Sequence, residues 1–462
     1  MKNLTLILLL AMITCCSSPE QSQENSLLTR LDSIGESFIK KNQVLGISVA
    51  IMQKSDTLYT KGFGYTDLEQ TKPVTNQSRF LMASVSKLIG AVIVMKLVDE
   101  DKLSLNDTLI NLLPDFPNKE QGQTITLRHL LSHTSGLPDY ASEIDSAYVK
   151  TGQDPYKNDI YTFLKDRSQI FEAGSDYSYC NTGFYLMGLI VEKITGNTFQ
   201  QEVDRIINQP TGINLELIAT AKSDPEMSPY WELKDQEFIS YPHWTWIKGD
   251  GGLTATSIML AQFPNKWANG RIISPESYQA MTTPIILNNG IQTGYGIGVR
   301  NGEFIGERII GHTGGHKSTY SIMVYFPDRD LTFVVFINTD NSVISVREIF
   351  AEYARVVLDK EIPNYATEEI PPIDLTMYEG TYRNFDHKMN NITTIKLVGN
   401  NLHYCMGDDC VKMYYQDNHQ FWIPEWPYDF VDFHVNQDDE VLAIKEYYTG
   451  FYSVLRQRIP DE

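Results

Sequence analysis

Residues 84–100 have the sequence SVSKLIGAVIVMKLVDE, in which apolar side chains recur at helical spacing. This pattern predicts a buried amphipathic helix. Because three residues are nearly one helical turn, Ser84 and Lys87 would lie on the same face of that helix. A buried lysine beside a serine can lose its proton and act as a general base, and free N–H groups at a helix N-terminus can stabilise an oxyanion. The segment therefore indicates a nucleophilic serine.

A second element follows at Tyr179-Cys180-Asn181, where a turn leads into another predicted helix. Alternate residues there can face one cleft, so Tyr179 and Asn181 would point inward and Cys180 away from them. A tyrosine can pass a proton to a leaving group, and an asparagine can donate a hydrogen bond to a substrate amide. The segment adds a candidate acid/base and a candidate substrate contact.

The third element is the run His312-Thr313-Gly314-Gly315, placed shortly before a strong hairpin pattern at 322–338. Its paired glycines allow a substrate to approach the backbone closely, and the Gly315 N–H can serve as an oxyanion donor. Each element alone is weak evidence, because the first two spacings recur elsewhere in the chain. The recurrences are Ser37 with Lys40, Tyr156 with Asn158, and Tyr382 with Asn384.

Taken in order, these elements resemble the serine β-lactamase and penicillin-binding protein superfamily. The similarity is to its class C-like branch, which includes D-alanyl-D-alanine carboxypeptidases, D-aminopeptidases and esterases. Several intervening segments resemble that family as well: GFGYTDLEQTKPVT, TITLRHLLSHTSGLP, GDGGLTATSIMLAQF, MTTP, YGIG and GHTGG. The resemblance covers about residues 28–360, and the tail after residue 371 resembles a small lipocalin-like β-barrel.

The resemblance implies an α+β fold, with an antiparallel sheet flanked by helices, a helical subdomain, and the active site between them. It implies that Ser84 is the nucleophile, Lys87 its activating partner and Tyr179 the acid/base for the leaving group. The N–H groups of Ser84 and Gly315 would form the oxyanion hole. The residues that it assigns to substrate binding are Asn181, His312, Thr313, Gly314 and Gly315.

At His312 the chain departs from the family pattern in a way that bears on the choice of substrate. Many dedicated β-lactamases have a lysine at this position, whose charge helps to hold the substrate carboxylate, whereas neutral histidine does so less well. The sequence therefore favours a peptidase of D-amino-acid peptides or an esterase over a dedicated β-lactamase. The alternative is a non-catalytic cell-envelope binding protein that retains the fold, which the presence of every expected side chain disfavours.

The composition limits the kinds of partner that the chain is expected to bind. The chain has 462 residues and a formal net charge of -20, which disfavours binding to nucleic-acid phosphates or to anionic lipid through a basic patch. We expect a small-molecule or peptide substrate and no cofactor. His129 and His133 are spaced for metal chelation on a helix, but the segment HLLSH lacks the glutamate of a zinc-protease motif, so we expect no metal. The sequence does not indicate the oligomeric state.

The N-terminus indicates export. Lys2 precedes an apolar run at 4–13 that is too short to span a bilayer and is typical of a signal peptide. Cys15 and Cys16 follow it and resemble a bacterial lipoprotein signal, in which either cysteine could be lipidated; an ordinary secretory signal is the alternative. We therefore expect a lipid-anchored cell-envelope lipoprotein, periplasmic or on the surface.

The chain changes character after a helix that ends near residue 360. Residues 361–372 are rich in proline and glutamate, and short aromatic-rich strand patterns follow, typical of a small all-β domain. Cys405 and Cys410 flank a predicted turn, so both a disulfide and free thiols remain open. The predicted organisation is a signal peptide (1–15), a polar linker (16–27), a hydrolase domain (28–360), a linker (361–372) and an all-β domain (373–462).

Overall fold

The computed structural model describes most of the chain. The described residues are 19–42, 44–141, 143–144, 147, 155, 157–229, 231–235, 237–240, 244–316, 319–340, 345–362, 373–384, 392–426, 428–450 and 452–459. The predicted signal peptide, with Cys15 and Cys16, lies outside them, as does most of the predicted linker 361–372. We call residues 19–362 the N-terminal unit and residues 373–459 the C-terminal module.

A six-stranded antiparallel sheet lies at the centre of the N-terminal unit. Because side chains alternate along each strand, both faces of the sheet bury apolar residues. Ile47 and Val49 pack on the face covered by the first and last helices of the unit, whereas Ala50 and Met52 pack on the face that carries the other helices. In spatial order, the strands are Asp56–Gly64, Gly46–Gln53, Leu331–Ile337, Thr319–Phe326, Glu307–His316 and Arg300–Phe304.

The hairpin predicted at 322–338 is present in this sheet, and a second hairpin lies at 46–64. Gly46–Gln53 pairs with Asp56–Gly64, and Thr319–Phe326 pairs with Leu331–Ile337. Two small three-stranded sheets lie beside the large one. Their strands are Thr339–Asp340, Trp231–Lys234 and Glu237–Ser240 in one, and Phe80–Leu81, Leu253–Ala255 and Glu216–Leu217 in the other.

The helix predicted from residues 84–100 is also present. It extends over Ser86–Asp99 and follows a 3₁₀ turn at Ala83–Val85, and most of its side chains are buried. The other helical segments are Pro19–Asn42, Leu109–Leu112, Lys119–Thr124, Leu127–Leu131, Lys157–Lys165, Asn181–Thr195, Phe199–Val203, Asp204–Asn208, Gln209–Thr211, Ile218–Ala221, Ser257–Ala261, Phe263–Ala268, Pro275–Thr282, Val346–Leu358 and Leu375–Tyr378.

The first helix crosses a boundary that the sequence analysis placed between a polar linker and the next domain. Pro19–Asn42 is one continuous helix, although residues 16–27 were expected to be a linker. The physical reason is that glutamine and glutamate in 20–24 are good helix formers and extend the apolar-faced helix that follows. Within the described residues, no helix combines the length and hydrophobicity needed to cross a membrane.

The C-terminal module is all-β, as predicted. It is a nearly closed antiparallel sheet of nine strands, whose two end strands are separated in sequence only by Met413. A disulfide joins Cys405 to Cys410, directly opposite each other in a strand pair. In spatial order, the strands are Asp409–Lys412, Asn401–Met406, Ile392–Val398, Gly380–Arg383, Tyr452–Ile459, Val441–Tyr448, Phe430–Val435, Gln420–Trp422 and Tyr414–Tyr415.

Candidate active site

Ser84 lies in the 3₁₀ turn Ala83–Val85, immediately before the helix Ser86–Asp99. The residue before it, Ala83, has a φ of 45°, a left-handed conformation that is uncommon for a residue with a side chain. The turn is anchored because the Met82 N–H donates to the Leu253 carbonyl at 2.8 Å. Ser84 is half-buried between fully buried neighbours, so its hydroxyl is held at the helix N-terminus as the sequence predicts.

Lys87 is fully buried, and its ammonium nitrogen lies in a ring of oxygen atoms. Nζ is 3.0 Å from Ser84 Oγ, 2.8 Å from Asn181 Oδ1 and 2.5 Å from the carbonyl oxygen of Asp250. The Asn181 and Asp250 oxygens can only accept hydrogen bonds, so they occupy two of the N–H groups. In the neutral amine, the remaining lone pair would then face Ser84 Oγ, which is the arrangement that a general base requires.

Two aspartates hold the partners of Lys87 in place. Asn181 donates from Nδ2 to Asp139 Oδ2 at 2.9 Å, which fixes the amide so that its oxygen faces Lys87. The Asp250 carboxylate accepts from the hydroxyl of Tyr140 and from the Lys248 N–H, which fixes the loop that supplies the Asp250 carbonyl. In the structure, Asn181 contacts the Nζ of Lys87, and its contact with a substrate stays a prediction.

Tyr179 lies on the other side of the lysine. The Lys87 ammonium is 5.2 Å from the centre of the Tyr179 ring, and the Arg300 guanidinium is 5.4 Å from it. The intervening Cys180 is buried, and its thiol donates to the Leu137 carbonyl at 3.3 Å, away from the lysine. The structure therefore brings together Ser84, Lys87, Tyr179 and Asn181, with Cys180 pointing elsewhere.

His133 is a neighbour of Tyr179 that the sequence analysis did not assign to the site. Its ring lies 4.2 Å from that of Tyr179, centre to centre, and its Nδ1 accepts the Cys180 N–H at 3.0 Å. Burial first, and then the charge of Lys87, hold the pKa of His133 well below its usual value, so the ring is neutral. Its Nε2 is buried and has no hydrogen-bond partner among the described residues.

His312 lies on the strand Glu307–His316 and is fully buried. Nδ1 faces its neighbour's carbonyl, that of Thr313, at 2.5 Å, and the Tyr295 hydroxyl is 2.8 Å from Nε2. Burial first, and then the nearby charge of Arg300, hold the pKa of His312 well below its usual value. The ring is therefore neutral, with Nδ1 donating and Nε2 accepting; its predicted contact with a substrate stays a prediction.

The two glycines after Thr313 differ in their surroundings. A Cβ on Gly314 would lie 2.3 Å from the Met82 carbonyl oxygen and 3.0 Å from Ser84 N, so only glycine fits between the strand and the serine turn. Gly315 is exposed. The strand pairs with Thr319–Phe326 up to His316, but its pairing with Arg300–Phe304 stops at Gly311. One edge of 312–316 is consequently unpaired by that strand, next to Ser84.

The residues that sequence reasoning missed lie in segments that it had recognised without assigning them roles. Asp139 follows TITLRHLLSHTSGLP, His133 lies within it, Asp250 is in GDGG and Tyr295 begins YGIG. The feature that could have identified these residues was their position within or next to the family-like segments. No group of three or more metal-ligating side chains is found in the described part of the chain. His129 accepts the Thr126 N–H at its helix N-terminus and does not join His133 in a site.

Comparisons with known proteins identify similar sequences. A family model described as Beta-lactamase matches residues 31–356. Penicillin-binding protein 4* of Bacillus subtilis (strain 168) is 28% identical over 364 residues, which cover 73% of this chain and 75% of that protein.

Two solved structures have a similar fold. One is the octameric penicillin-binding protein homologue from Pyrococcus abyssi, with a TM-score of 0.64 and 23% identity over 93% of this chain and 100% of that one. The other is D-amino acid amidase from Ochrobactrum anthropi SV3, with a TM-score of 0.63 and 20% identity over 72% of this chain and 99% of that one. At these identities, the two likenesses show the shared fold.

Proposed function

The chain belongs to the beta-lactamase family, and on that premise we propose that it is a serine hydrolase that cleaves an amide or ester bond through an acyl-enzyme on Ser84. The observation that carries the proposal is the 3.0 Å separation between Lys87 Nζ and Ser84 Oγ. Two carbonyl oxygens, from Asn181 and Asp250, already occupy the other N–H groups of Lys87. Such an arrangement directs the base at the nucleophile.

In the proposed reaction, neutral Lys87 takes the Ser84 hydroxyl proton while Oγ bonds to the substrate carbonyl carbon. The negative charge on the former carbonyl oxygen is stabilised by the N–H groups of Ser84 and Gly315. The bond to the leaving group then breaks, Tyr179 gives that group a proton, and the proton that Lys87 took from Ser84 replaces it on Tyr179. Water attacks the acyl carbon in the second half of the reaction, which releases the acid and returns the proton to Ser84.

For the substrate, we favour a D-amino-acid peptide or amide, or an ester, over a β-lactam. The support is the neutral, buried His312, which supplies no positive charge where a dedicated β-lactamase would need one for the substrate carboxylate. A D-amino acid amidase is among the proteins of similar fold, and that likeness is compatible with this choice.

The experiment that tests the function is a hydrolysis screen of the full chain and of a Ser84→Ala variant. The substrates are p-nitrophenyl esters, D-alanyl peptides, D-amino-acid amides and nitrocefin. We expect turnover of esters or D-amino-acid substrates by the wild-type protein and loss of that turnover in Ser84→Ala. If the folded wild-type protein turns over none of them, the non-catalytic binding protein becomes the better account.

We also propose export and lipid anchoring at Cys15 or Cys16, on the support of the signal-like residues 1–16. The test is metabolic labelling of cells that express the chain with an alkyne fatty acid. We expect label in the wild-type protein, loss of the label in a Cys15→Ser/Cys16→Ser double variant, and retention in one of the single variants. Secretion without label would instead indicate an ordinary signal peptide.

A further inference from the structure

The C-terminal module packs directly against the wall behind the candidate active site. Six buried apolar residues form what we call the interface cluster, four from the N-terminal unit and two from the module. The four residues of the N-terminal unit are aromatic or aliphatic, and the two residues of the module lie on adjacent strands. The members are Tyr177, Leu287, Ile291 and Tyr295, together with Ala443 and Leu455.

Tyr295 connects this cluster to the cleft. Its ring is fully buried among the cluster residues, and its hydroxyl lies 2.8 Å from Nε2 of His312. Because Nδ1 of His312 donates to the Thr313 carbonyl, Nε2 accepts, and Tyr295 is the donor. The same tyrosine ring lies 4.6 Å from the ring of His133, which in turn lies 4.2 Å from the ring of Tyr179. One side chain thus contacts the module, the cleft strand and the neighbour of the acid/base.

Other contacts bring the module close to the segment that carries Tyr179. A small cavity behind Tyr179 is lined on the module side by Asn384 and by the strand residues 453–455. Gln457 donates to the Ser175 carbonyl at 3.3 Å, at the start of the turn that leads to Tyr179. The module therefore borders both the loop 175–179 and the support of His312.

The backbone adds a close fit at the far end of the interface. The Glu303 N–H donates to the Gly450 carbonyl at 3.0 Å. Gly450 has a φ of 63°, and a Cβ there would lie 1.9 Å from the Glu303 carbonyl oxygen. Gly294, next to Tyr295, packs equally closely, since its Cβ would lie 2.0 Å from Ser453 Oγ. Such close packing transmits displacement because protein interiors are dense.

We propose that Tyr295 is a positioning residue through which the C-terminal module holds His312 and Tyr179 in their working geometry. The proposal rests on the proposed function, in which these residues line the cleft. The module is then a structural part of the active site, and the interface cluster sets how rapidly Ser84 is acylated. Tyr295 itself contacts no substrate in this account.

The experiment compares Tyr295→Phe and Leu455→Ala in the full chain. Tyr295→Phe keeps the ring and removes only the hydroxyl. We expect it to lower kcat by roughly tenfold to a hundredfold with little change in KM, because a misplaced group costs rate more than binding. Leu455→Ala, which opens the interface cluster, should lower kcat in the same way.

Each variant has a matched control. Tyr353→Phe alters a fully buried tyrosine on the opposite face of the large sheet, and Leu402→Ala alters a buried leucine inside the module, away from the interface. We expect both controls to retain wild-type kcat when they are assayed below their melting temperatures. If Leu402→Ala lowers kcat as much as Leu455→Ala, or if Tyr295→Phe leaves kcat unchanged, the proposal is wrong.

A second readout does not require turnover. The ¹⁵N shifts of the His312 imidazole report which nitrogen carries the proton and whether Nε2 accepts a hydrogen bond. We expect the Nδ1-protonated form in wild type, a displaced Nε2 resonance in Tyr295→Phe and in Leu455→Ala, and the wild-type spectrum in Tyr353→Phe. A wild-type protein without activity would refute the proposed function alone, whereas an unchanged His312 spectrum in Leu455→Ala would refute the coupling.

Discussion

Buried charges occur in two regions of the molecule, and their surroundings differ. In the N-terminal unit, the ammonium of Lys87 contacts uncharged oxygens: a serine hydroxyl, an amide oxygen and a backbone carbonyl. In the C-terminal module, the guanidinium of Arg456 lies 2.5 Å from the carboxylate of Glu446, with both residues buried. Tyr404 also donates to that carboxylate, at 2.8 Å.

Burial of a cation has two different consequences in this molecule. Burial favours the neutral form of a cation, and acceptors that occupy its N–H groups leave a lone pair that can act as a base. A cation paired with a buried carboxylate is held in its charged form, and the pair and its hydrogen bonds fix one packing arrangement. We therefore infer that Lys87 acts in catalysis and that Arg456 stabilises the fold of the module.

The largest expected effect is on the rate at which Ser84 is acylated. In Lys87→Met, the acylation rate should fall on the order of 10³- to 10⁴-fold, because the general base is lost. The measurement is the rate of covalent labelling by a fluorophosphonate probe, together with a thermal melt to show that the variant is folded. Lys96→Met, on the same helix and only partly buried, is the matched control and should label at the wild-type rate. Equal rates in the two variants would remove Lys87 from the mechanism.

The next effect is on stability. Arg456→Met leaves Glu446 as a buried charge without its cation, so the free energy of unfolding should fall by about 3–5 kcal/mol. Urea unfolding measures it. The double variant Arg456→Met/Glu446→Gln should recover most of the loss. If the single variant is as stable as wild type, the pair does not have the role we assign to it.

Close packing between the two sides of the cleft gives the third prediction. Gly314→Ala places a methyl group 2.3 Å from the Met82 carbonyl oxygen, so the serine turn must move. We expect acylation to slow by about 10²-fold, as for other small displacements of reacting groups. Gly188→Ala is the control, because a Cβ there meets its nearest heavy atom only at 3.7 Å. Comparable labelling by both variants would show that the turn tolerates displacement.

The smallest effect concerns another buried carboxyl, that of Asp176, at the interface. Burial raises the pKa of Asp176 from 3.8 to about 6, and its carboxylate accepts the Tyr177 N–H. Since the folded pKa lies above the unfolded one, this group contributes stability below pH 3.8 that is lost as the pH rises through 6. Asp176→Asn should therefore raise the free energy of unfolding at pH 8 by up to about 3 kcal/mol.

Urea unfolding of Asp176→Asn and wild type at pH 8 and at pH 4 provides the check. The gain should be largest at pH 8 and should shrink toward pH 4, where the wild-type carboxyl is protonated in the folded state. A gain that is independent of pH would show that the amide stabilises by contacts rather than by removing a buried charge.

Local pattern accounts for the parts of the fold that the sequence predicted well. The hairpin pattern at 322–338 predicted two strands that pair with each other. The spacing of Ser84 and Lys87 predicted their contact, since it depends only on one helical turn. Each of these predictions depends on residues close together in the sequence.

The supports of the site could not be predicted in the same way. Lys87 contacts the Asp250 carbonyl across 163 residues, and Asn181 contacts Asp139 across 42. Such contacts depend on the order of strands and on loop paths, which periodicity does not encode. The same holds for Tyr295, two of whose partners, Ala443 and Leu455, come from the C-terminal module.

Covalent reaction at Ser84 is tested by locating the adduct. The full chain is treated with a fluorophosphonate probe and digested, and the modified peptide is identified by mass spectrometry, with Ser84→Ala treated in parallel. We expect one added probe mass on the peptide that contains Ser84, and no adduct in the variant. An adduct on another residue, or a folded wild-type protein that acquires none, would contradict this expectation.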